Sequence, residues 1–374
     1  MSLHKVRIAH LTSAHPRDDI RIFLKECRSL AAYGHDVYLI VADGRGDAIC
    51  DGVEIADVGR SAGRLGRMFK ATWRVMQRAI DINADVYHLH DPELLPIGLE
   101  LKRRGRRVVF DAHEDVPKQI LGKHYLHPWV RHILSWGIAR LERYACARFD
   151  AVVTATPYIR DKFLSINPQS VDINNFPIVG ELESLVSWGD KSDEVCYVGS
   201  VAEIRGIKEL VRAMELTVST VNLNIVGGFA EAQVETEVHS YSGWSKVNAF
   251  GVLDRTGVRE VLGRSMAGLV TLHPIPNYLD ALPIKMFEYM SAGIPVIASN
   301  FDLWRTIVEE SNCGLCVDPK DPAAIASAVD YLMSNRNTAE EMGRNGRKAV
   351  LSRFNWDREE AKLIKFYDQL LVSR

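Results

Sequence analysis

The chain is predicted to be α/β, built from two doubly wound parallel-sheet domains. Three observations predict it. In the first half, short apolar runs at 6–11 (VRIAHL), 86–89, 108–111 and 151–154 alternate with helical stretches and turns, as parallel strands covered by helices on both faces require. A second series follows at 195–199 (VCYVG), 223–226 before Gly227-Gly228, and 247–250 before Gly251. Strands that end in glycine let backbone come close to a ligand. Finally, 374 residues, 47% hydrophobic and 25% charged, is a natural size and composition for two globular domains.

Taken in order, the first strand runs into TSAHPRDDIRIF and a helix through Ala31. A glycine-rich stretch at 43–66 holds one short strand at 53–55. Residues 174–194 are polar and aperiodic, so the boundary is placed there: domain one at 1–180, domain two at 181–355, and a last helix, opened by Phe354-Asn-Trp356, at 356–374. In the second half, a loop SVAEIRGIK follows VCYVG and leads into a helix to Leu216.

The net charge of -2 hides an asymmetry. Residues 1–180 carry 26 Lys+Arg against 21 Asp+Glu, and the remaining residues 20 against 27. A basic first half points to an anionic substrate or surface there. Residues 60–78 interleave Arg60, Arg64, Arg67, Lys70, Arg74 and Arg78 with Leu65, Met68, Phe69 and Trp73, and residues 124–149 carry Trp129 and Trp136. Such helices suit an anionic membrane interface, or equally an ordinary amphipathic contact with the sheet. No stretch is long and apolar enough to span a bilayer, and MSLHKVRIAHLTS enters a strand without a hydrophobic signal region. The six scattered cysteines read as reduced thiols of a cytoplasmic protein. KRRGRR at 102–107 is a basic helix end, without any nucleic-acid module around it.

In parallel sheets ligands sit beyond the carboxyl ends of the strands. Here those loops hold His15 and Asp18, then His88, His90 and Asp91, then His113. A G-x-G-x-x-G fingerprint is absent after the first strand, which counts against a dehydrogenase. Clustered His and Asp offer metal ligands, but the loops have no H-x3-H spacing and the chain has no D-x-D. No metal or cofactor is expected.

The most informative stretch is 280–293, DALPIKMFEYMSAG. Asp280 and Glu288 have seven residues between them, Lys285 among these, and a helix is predicted to start at Pro283 and stop at Gly293. Asp280 and Leu282 then lie in the loop before it, where free N–H groups gather, a place that suits an anion. Glu288, more than a turn in, could accept from vicinal hydroxyls. The ligand implied is a diphosphate at one end and a polyol at the other.

This stretch resembles the E-x7-E signature of the family 4 retaining glycosyltransferases, with Asp280 in place of the first glutamate. The loop after VCYVG is similar to that family's G-R-x4-K-G stretch. Ser200 stands where arginine is usual, and Arg205 where lysine is usual, before Gly206. The resemblance implies a GT-B fold, two Rossmann-like domains facing across a cleft, with the last helix crossing back to the first domain. It implies His113, Asp280 and Glu288 as catalytic residues and Gly199, Ser200, Arg205, Gly206 and Lys285 around a donor diphosphate. Gly228, Phe250, Gly251, Ala281, Leu282, Pro283 and Glu288 would hold the nucleoside and sugar, and His15, Asp18 and Asp91 the acceptor side. The activity implied is metal-independent transfer from a nucleoside-diphosphate sugar to a glycan or lipid-linked acceptor. The alternatives are a nucleotide-sugar 2-epimerase or a non-catalytic nucleotide-sugar-binding subunit. The cytoplasm, or the cytoplasmic face of a membrane, would be its location.

Overall fold

The computed structural model describes residues 5–122, 126–183 and 186–372, so His124 of the second aromatic stretch and residues 184–185 of the boundary stretch lie outside the description. The chain forms two units, Met1–Asn175 with Glu359–Arg374, and Phe176–Arg358. The division therefore falls at Asn175/Phe176 and Arg358/Glu359, close to the positions read from the sequence.

Unit 1 contains β1 (Arg7–Leu11), β2 (Asp36–Val41), β3 (Ala48–Cys50), β4 (Val53–Asp57), β5 (Val86–Leu89), β6 (Arg107–Ala112), β7 (Ala151–Thr154) and β8 (Ser170–Asp172). They make one sheet in the order β3-β4-β2-β1-β5-β6-β7-β8. Every pair is parallel except β3 with β4. Successive side chains of a strand point to opposite faces, and this sheet uses its two faces differently. Ala9, Leu11, Tyr87, Leu89, Val108 and Phe110 join one apolar cluster. The alternate residues His10, His88 and Asp111, and His90 just past β5, are polar and buried. His10 is paired with His88, and Leu89 with Phe110, so His90 comes level with Asp111.

The first helix departs from a plain α-helix. Ile20–Cys27 is π-helical, started by Asp19, whose carboxylate accepts from the N–H groups of Arg21 and Ile22. It continues as Arg28–Tyr33 and ends at Gly34, whose φ of +112° lies in the left-handed region that glycine tolerates. β2 then starts two residues later.

Unit 2 contains β9 (Glu194–Val198), β10 (Asn222–Val226), β11 (Val247–Gly251), β12 (Ala267–Val270), β13 (Val296–Ser299) and β14 (Gly314–Val317), in the order β11-β10-β9-β12-β13-β14 and all parallel. Both faces are apolar: Cys196 belongs to one core cluster, and its neighbours Val195 and Tyr197 to another. This is the pattern of a parallel sheet buried on both sides.

The helix Ile284–Ser291 starts after Pro283, which is its N-cap. Tyr289 anchors it. The ring lies so close over β12 that a Cβ on Gly268 would stand 2.2 Å from it. Its hydroxyl accepts from the Val198 N–H at 2.9 Å and donates to the Leu269 carbonyl at 3.3 Å. The loop before the helix is held by Trp304, whose Nε1 donates to the Ala281 carbonyl at 2.7 Å. Of the last helix, Trp356–Val372, the residues from Glu359 onward count with unit 1.

Candidate active site

In unit 2 the site is built where β9 ends. Gly199 has φ +130°, and a Cβ there would stand 2.9 Å from Lys285 Nζ and 3.6 Å from Arg205 Nη1. The two cations predicted at the diphosphate thus meet over one glycine. Gly206 starts the following helix at φ +79°, where a Cβ would stand 2.1 Å from the Thr271 carbonyl oxygen. Gly227, at φ +143°, comes within 2.0 Å of the Gly199 carbonyl oxygen by the same construction. Ser200 is exposed at the mouth of this loop, and its carbonyl accepts from Tyr197 Oη at 2.8 Å.

Lys285 and Glu288 lie three apart and so on one face of their helix. Lys285 is buried, and its Nζ has no hydrogen-bond partner in the described structure. It sits 3.8 Å from the centre of the Tyr197 ring. Burial, and then the charge of Arg205, push this amine well below the ordinary lysine range. For Arg205, burial acts to lower its pKa but is outweighed by the phenols of Tyr197 and Tyr278, which raise it. A buried ammonium and a guanidinium without an ion-pair partner among the described residues form a strong site for an anion.

Glu288 is buried, and its Oε1 accepts from Arg255 Nη1 at 2.7 Å, while Arg255 also grips Glu181 through Nε and Nη2 at 2.7 Å each. The sequence reading placed Glu288 free for a ribose. In the structure Arg255 holds one of its oxygens, which fixes the carboxylate's orientation. Asp280 is partly exposed at the C-terminal end of the short helix Pro276–Leu279. Gly228 accepts at its carbonyl from Val201 N–H at 2.9 Å. Gly251 ends the edge strand β11, and Phe250 beside it is partly exposed under the Arg264 guanidinium at 5.0 Å.

In unit 1, His113 follows β6. Its Nε2 is 3.1 Å from Asp111 Oδ2 and 3.2 Å from His90 Nδ1. Arg21 binds Asp111 through two hydrogen bonds of 2.8 Å. Burial would raise the Asp111 pKa, but Arg21 and His113 hold it well below the usual carboxylate range. Of the residues expected on an acceptor side, His15 lies 3.2 Å from Asp19 and 3.4 Å from Asp91, its ring centre 5.2 Å from that of His113. Asp91 is buried and accepts from Thr12 Oγ1, Ser13 N–H and Ala14 N–H, so it organises the loop after β1. Asp18 instead pairs with Arg45 at the surface, 3.1 Å away.

Sequence reasoning missed Arg255, Glu181, Tyr197 and Tyr278 in unit 2, and His10, Arg21, Glu26 and Tyr367 in unit 1. One signal was available: His10 and His88 interrupt otherwise apolar strands.

Comparison with known proteins decides the family. A family model described as Glycosyltransferase Family 4 matches residues 21–173, and one described as Glycosyl transferases group 1 matches residues 186–349. The chain belongs to the family 4 glycosyltransferases. The phosphatidyl-myo-inositol mannosyltransferase of Mycobacterium leprae is 24% identical over 80% of this chain and 77% of that protein. An uncharacterized glycosyltransferase of Methanocaldococcus jannaschii is 24% identical over 76% of this chain and 75% of its own length. Among solved structures, sucrose-phosphate synthase from Thermosynechococcus elongatus aligns with a TM-score of 0.80 at 19% identity, covering 99% of this chain and 100% of that one. Anabaena HepE in complex with UDP-glucose aligns at 0.74 and 15% identity, over 97% of this glycosyltransferase and all of HepE. The fold is therefore GT-B. The relatives named by their activity are two glycosyltransferases and a synthase, not epimerases.

Proposed function

We propose that this glycosyltransferase takes its sugar from a nucleoside-diphosphate sugar bound to unit 2 and transfers it with retention to a glycan or lipid-linked acceptor. The observation that carries the reading is the meeting of Lys285 and Arg205 over Gly199, two basic groups without an ion-pair partner among the described residues. A donor diphosphate supplies the missing negative charge, and the start of the helix at Ile284 adds N–H groups and a favourable dipole end. Glu288, oriented by Arg255, receives ribose hydroxyls, and Asp280, ahead of the same helix, receives those of the sugar.

In the step itself the bond from the anomeric carbon to the β-phosphate oxygen breaks as the acceptor oxygen bonds to the same face. The acceptor proton passes to the departing phosphate oxygen. Arg205 and Lys285 stabilise the charge that develops there, so no divalent ion is needed at the diphosphate. A UDP-glucose complex of a structural neighbour supports this donor class without naming the base or sugar used here.

A lipid-linked acceptor fits one more feature. On the helix Pro128–Cys146, Trp129, Ile133 and Trp136 are 61%, 58% and 62% exposed at spacings that share one face. Arg140 follows four residues later, its guanidinium 5.1 Å from the Trp136 ring. Such a face suits an anionic lipid surface. No helix among the described residues is long and apolar enough to cross a membrane.

The test is calorimetric binding of a panel of nucleoside-diphosphate sugars to the wild type and to Arg205→Ala, Lys285→Ala and Glu288→Ala. One donor should bind saturably and all three variants should weaken it, after which its transfer to lipid-linked and soluble glycans is assayed. Binding that ignores all three substitutions would overturn the site. Sedimentation with anionic vesicles, lost in the Trp129→Ser/Trp136→Ser double variant, tests the surface; no sedimentation of the wild type would remove it.

A further inference from the structure

The polar face of the unit 1 sheet holds a second cluster beneath His113. His10, Glu26, His88 and His90 are fully or almost fully buried, and one nitrogen or oxygen from each lies within 4.8 Å of all the others. The fold brings them together by register. His10 and His88 are direct neighbours on β1 and β5, and parallel strands set such side chains about 5 Å apart. Their ring centres are 4.7 Å apart, with His90 at 5.1 Å from His10 and 4.8 Å from His88. Glu26 reaches in from the π-helical segment Ile20–Cys27.

The hydrogen-bond account of this cluster does not close. His10 Nε2, His88 Nε2 and both carboxylate oxygens of Glu26 are buried without a hydrogen-bond partner in the described structure. Arg21 Nε lies 3.2 Å from Glu26 Oε1, but its hydrogen bonds go to Asp111 and to the Ile173 carbonyl. Buried polar groups left so are rare and call for a partner. The outer nitrogens of His88 and His90, by contrast, are engaged: His88 Nδ1 is 2.8 Å from Tyr367 Oη, and His90 Nδ1 is 3.3 Å from Asp111 Oδ2. Inside the cluster His10 Nδ1 and His90 Nε2 face each other at 2.9 Å. A histidine that gives its far nitrogen to a carboxylate or hydroxyl while the near one faces inward has the arrangement of a metal ligand.

We propose that His10, His88, His90 and Glu26 bind one first-row divalent cation of the zinc type. Three imidazoles and one carboxylate match that class in ligand number and softness. The ion is remote from the donor diphosphate site in sequence and in role. It serves as a rigid post behind His90, which touches His113 at 3.2 Å. This is contrary to the expectation from the sequence that no metal binds, which considered ligand spacing along the chain and not across the sheet.

The experiment uses the full chain, stripped with a chelator and titrated with Zn²⁺ and separately with Co²⁺. One ion per chain is expected, with Co²⁺ giving the intense visible absorption of a low-coordinate nitrogen-rich site. The melting temperature should rise with Zn²⁺ concentration, as any ligand of the native state requires. Glu26→Gln and His10→Gln should each weaken binding about 100-fold or more, while Asp18→Asn, at the surface beside Arg45, should leave it unchanged. Should the first two variants fail to fold, the wild-type stoichiometry and Co²⁺ spectrum decide. Absence of that spectrum together with a melting temperature indifferent to Zn²⁺ and chelator would overturn the proposal. So would variants that bind as tightly as the wild type. None of these readouts depends on transferase activity, so they stand apart from the donor reading.

Discussion

The two units bury charge in opposite ways. In unit 1, Arg21 is surrounded by Asp111 and Glu26, with bidentate hydrogen bonds to the first. In unit 2, Lys285 is also buried, beside Arg205 and the Tyr197 ring, and its Nζ has no hydrogen-bond or ion-pair partner among the described residues, the nearby Glu288 being bound to Arg255. One basic group is matched within its unit, and the other has no such match among the described residues. Buried positive charge therefore has no single meaning; what decides is whether the chain itself brings the anion.

Replacement of each cation by methionine should split the two cases. Arg21→Met is expected to cost about 3–5 kcal/mol, since it leaves the Asp111 carboxylate buried and uncompensated. Denaturant unfolding measures this, and a loss below about 1 kcal/mol would erase the contrast. Next in size, Arg205→Ala should lower kcat by about 10²–10³ through lost stabilisation of the leaving diphosphate, with little change in unfolding midpoint. A comparable fall in stability would make Arg205 a structural residue.

Lys285→Met should do the reverse of Arg21→Met. It is expected to stabilise the ligand-free protein by about 1–3 kcal/mol, because an amine buried without a hydrogen-bond partner among the described residues is replaced by an apolar chain, while donor binding weakens. The pH dependence follows from the lowered pKa of Lys285 in the free protein. An arriving diphosphate raises it, so binding takes up a proton. Donor affinity is then constant below the free-state pKa, falls as pH rises through it, and levels off above the bound-state value. Calorimetry in buffers of different ionisation enthalpy should detect the proton, and Lys285→Met should abolish it. Uptake that persists in the variant would assign it elsewhere. The smallest effect is expected from Tyr367→Phe, which removes the hydroxyl next to His88 Nδ1, at about 1–2 kcal/mol in thermal or denaturant unfolding.

The local geometry of the unit 2 site was largely legible in the sequence. Pro283 and Gly293 bracket a helix, Gly199, Gly206 and Gly227 mark backbone that a side chain could not enter, and Arg205 and Lys285 lie next to those marks. Local chemistry fixed local geometry. What escaped was long-range. Glu181 lies 74 residues from Arg255, and no periodicity flags the stretch it sits in. His10 and His90 are 80 apart and meet only through strand register. β2 followed a left-handed glycine so closely that no loop announced it. Asp91 was legible as a polar loop residue, but its role as an acceptor for three groups of the β1 loop depended on the β1–β5 pairing.

The membership of the last helix has a consequence for synthesis. Unit 1 is not continuous in the chain: Glu359 accepts from the Asn174 N–H, and Tyr367 reaches His88, from beyond the whole of Phe176–Arg358. A ribosome adding about 5–20 residues each second needs about 10–40 s to traverse that interval. During that time β1 to β8 are out of the tunnel while their polar face lacks its final cover. The half made first must be finished last, and unit 2 is the half able to complete its fold without waiting.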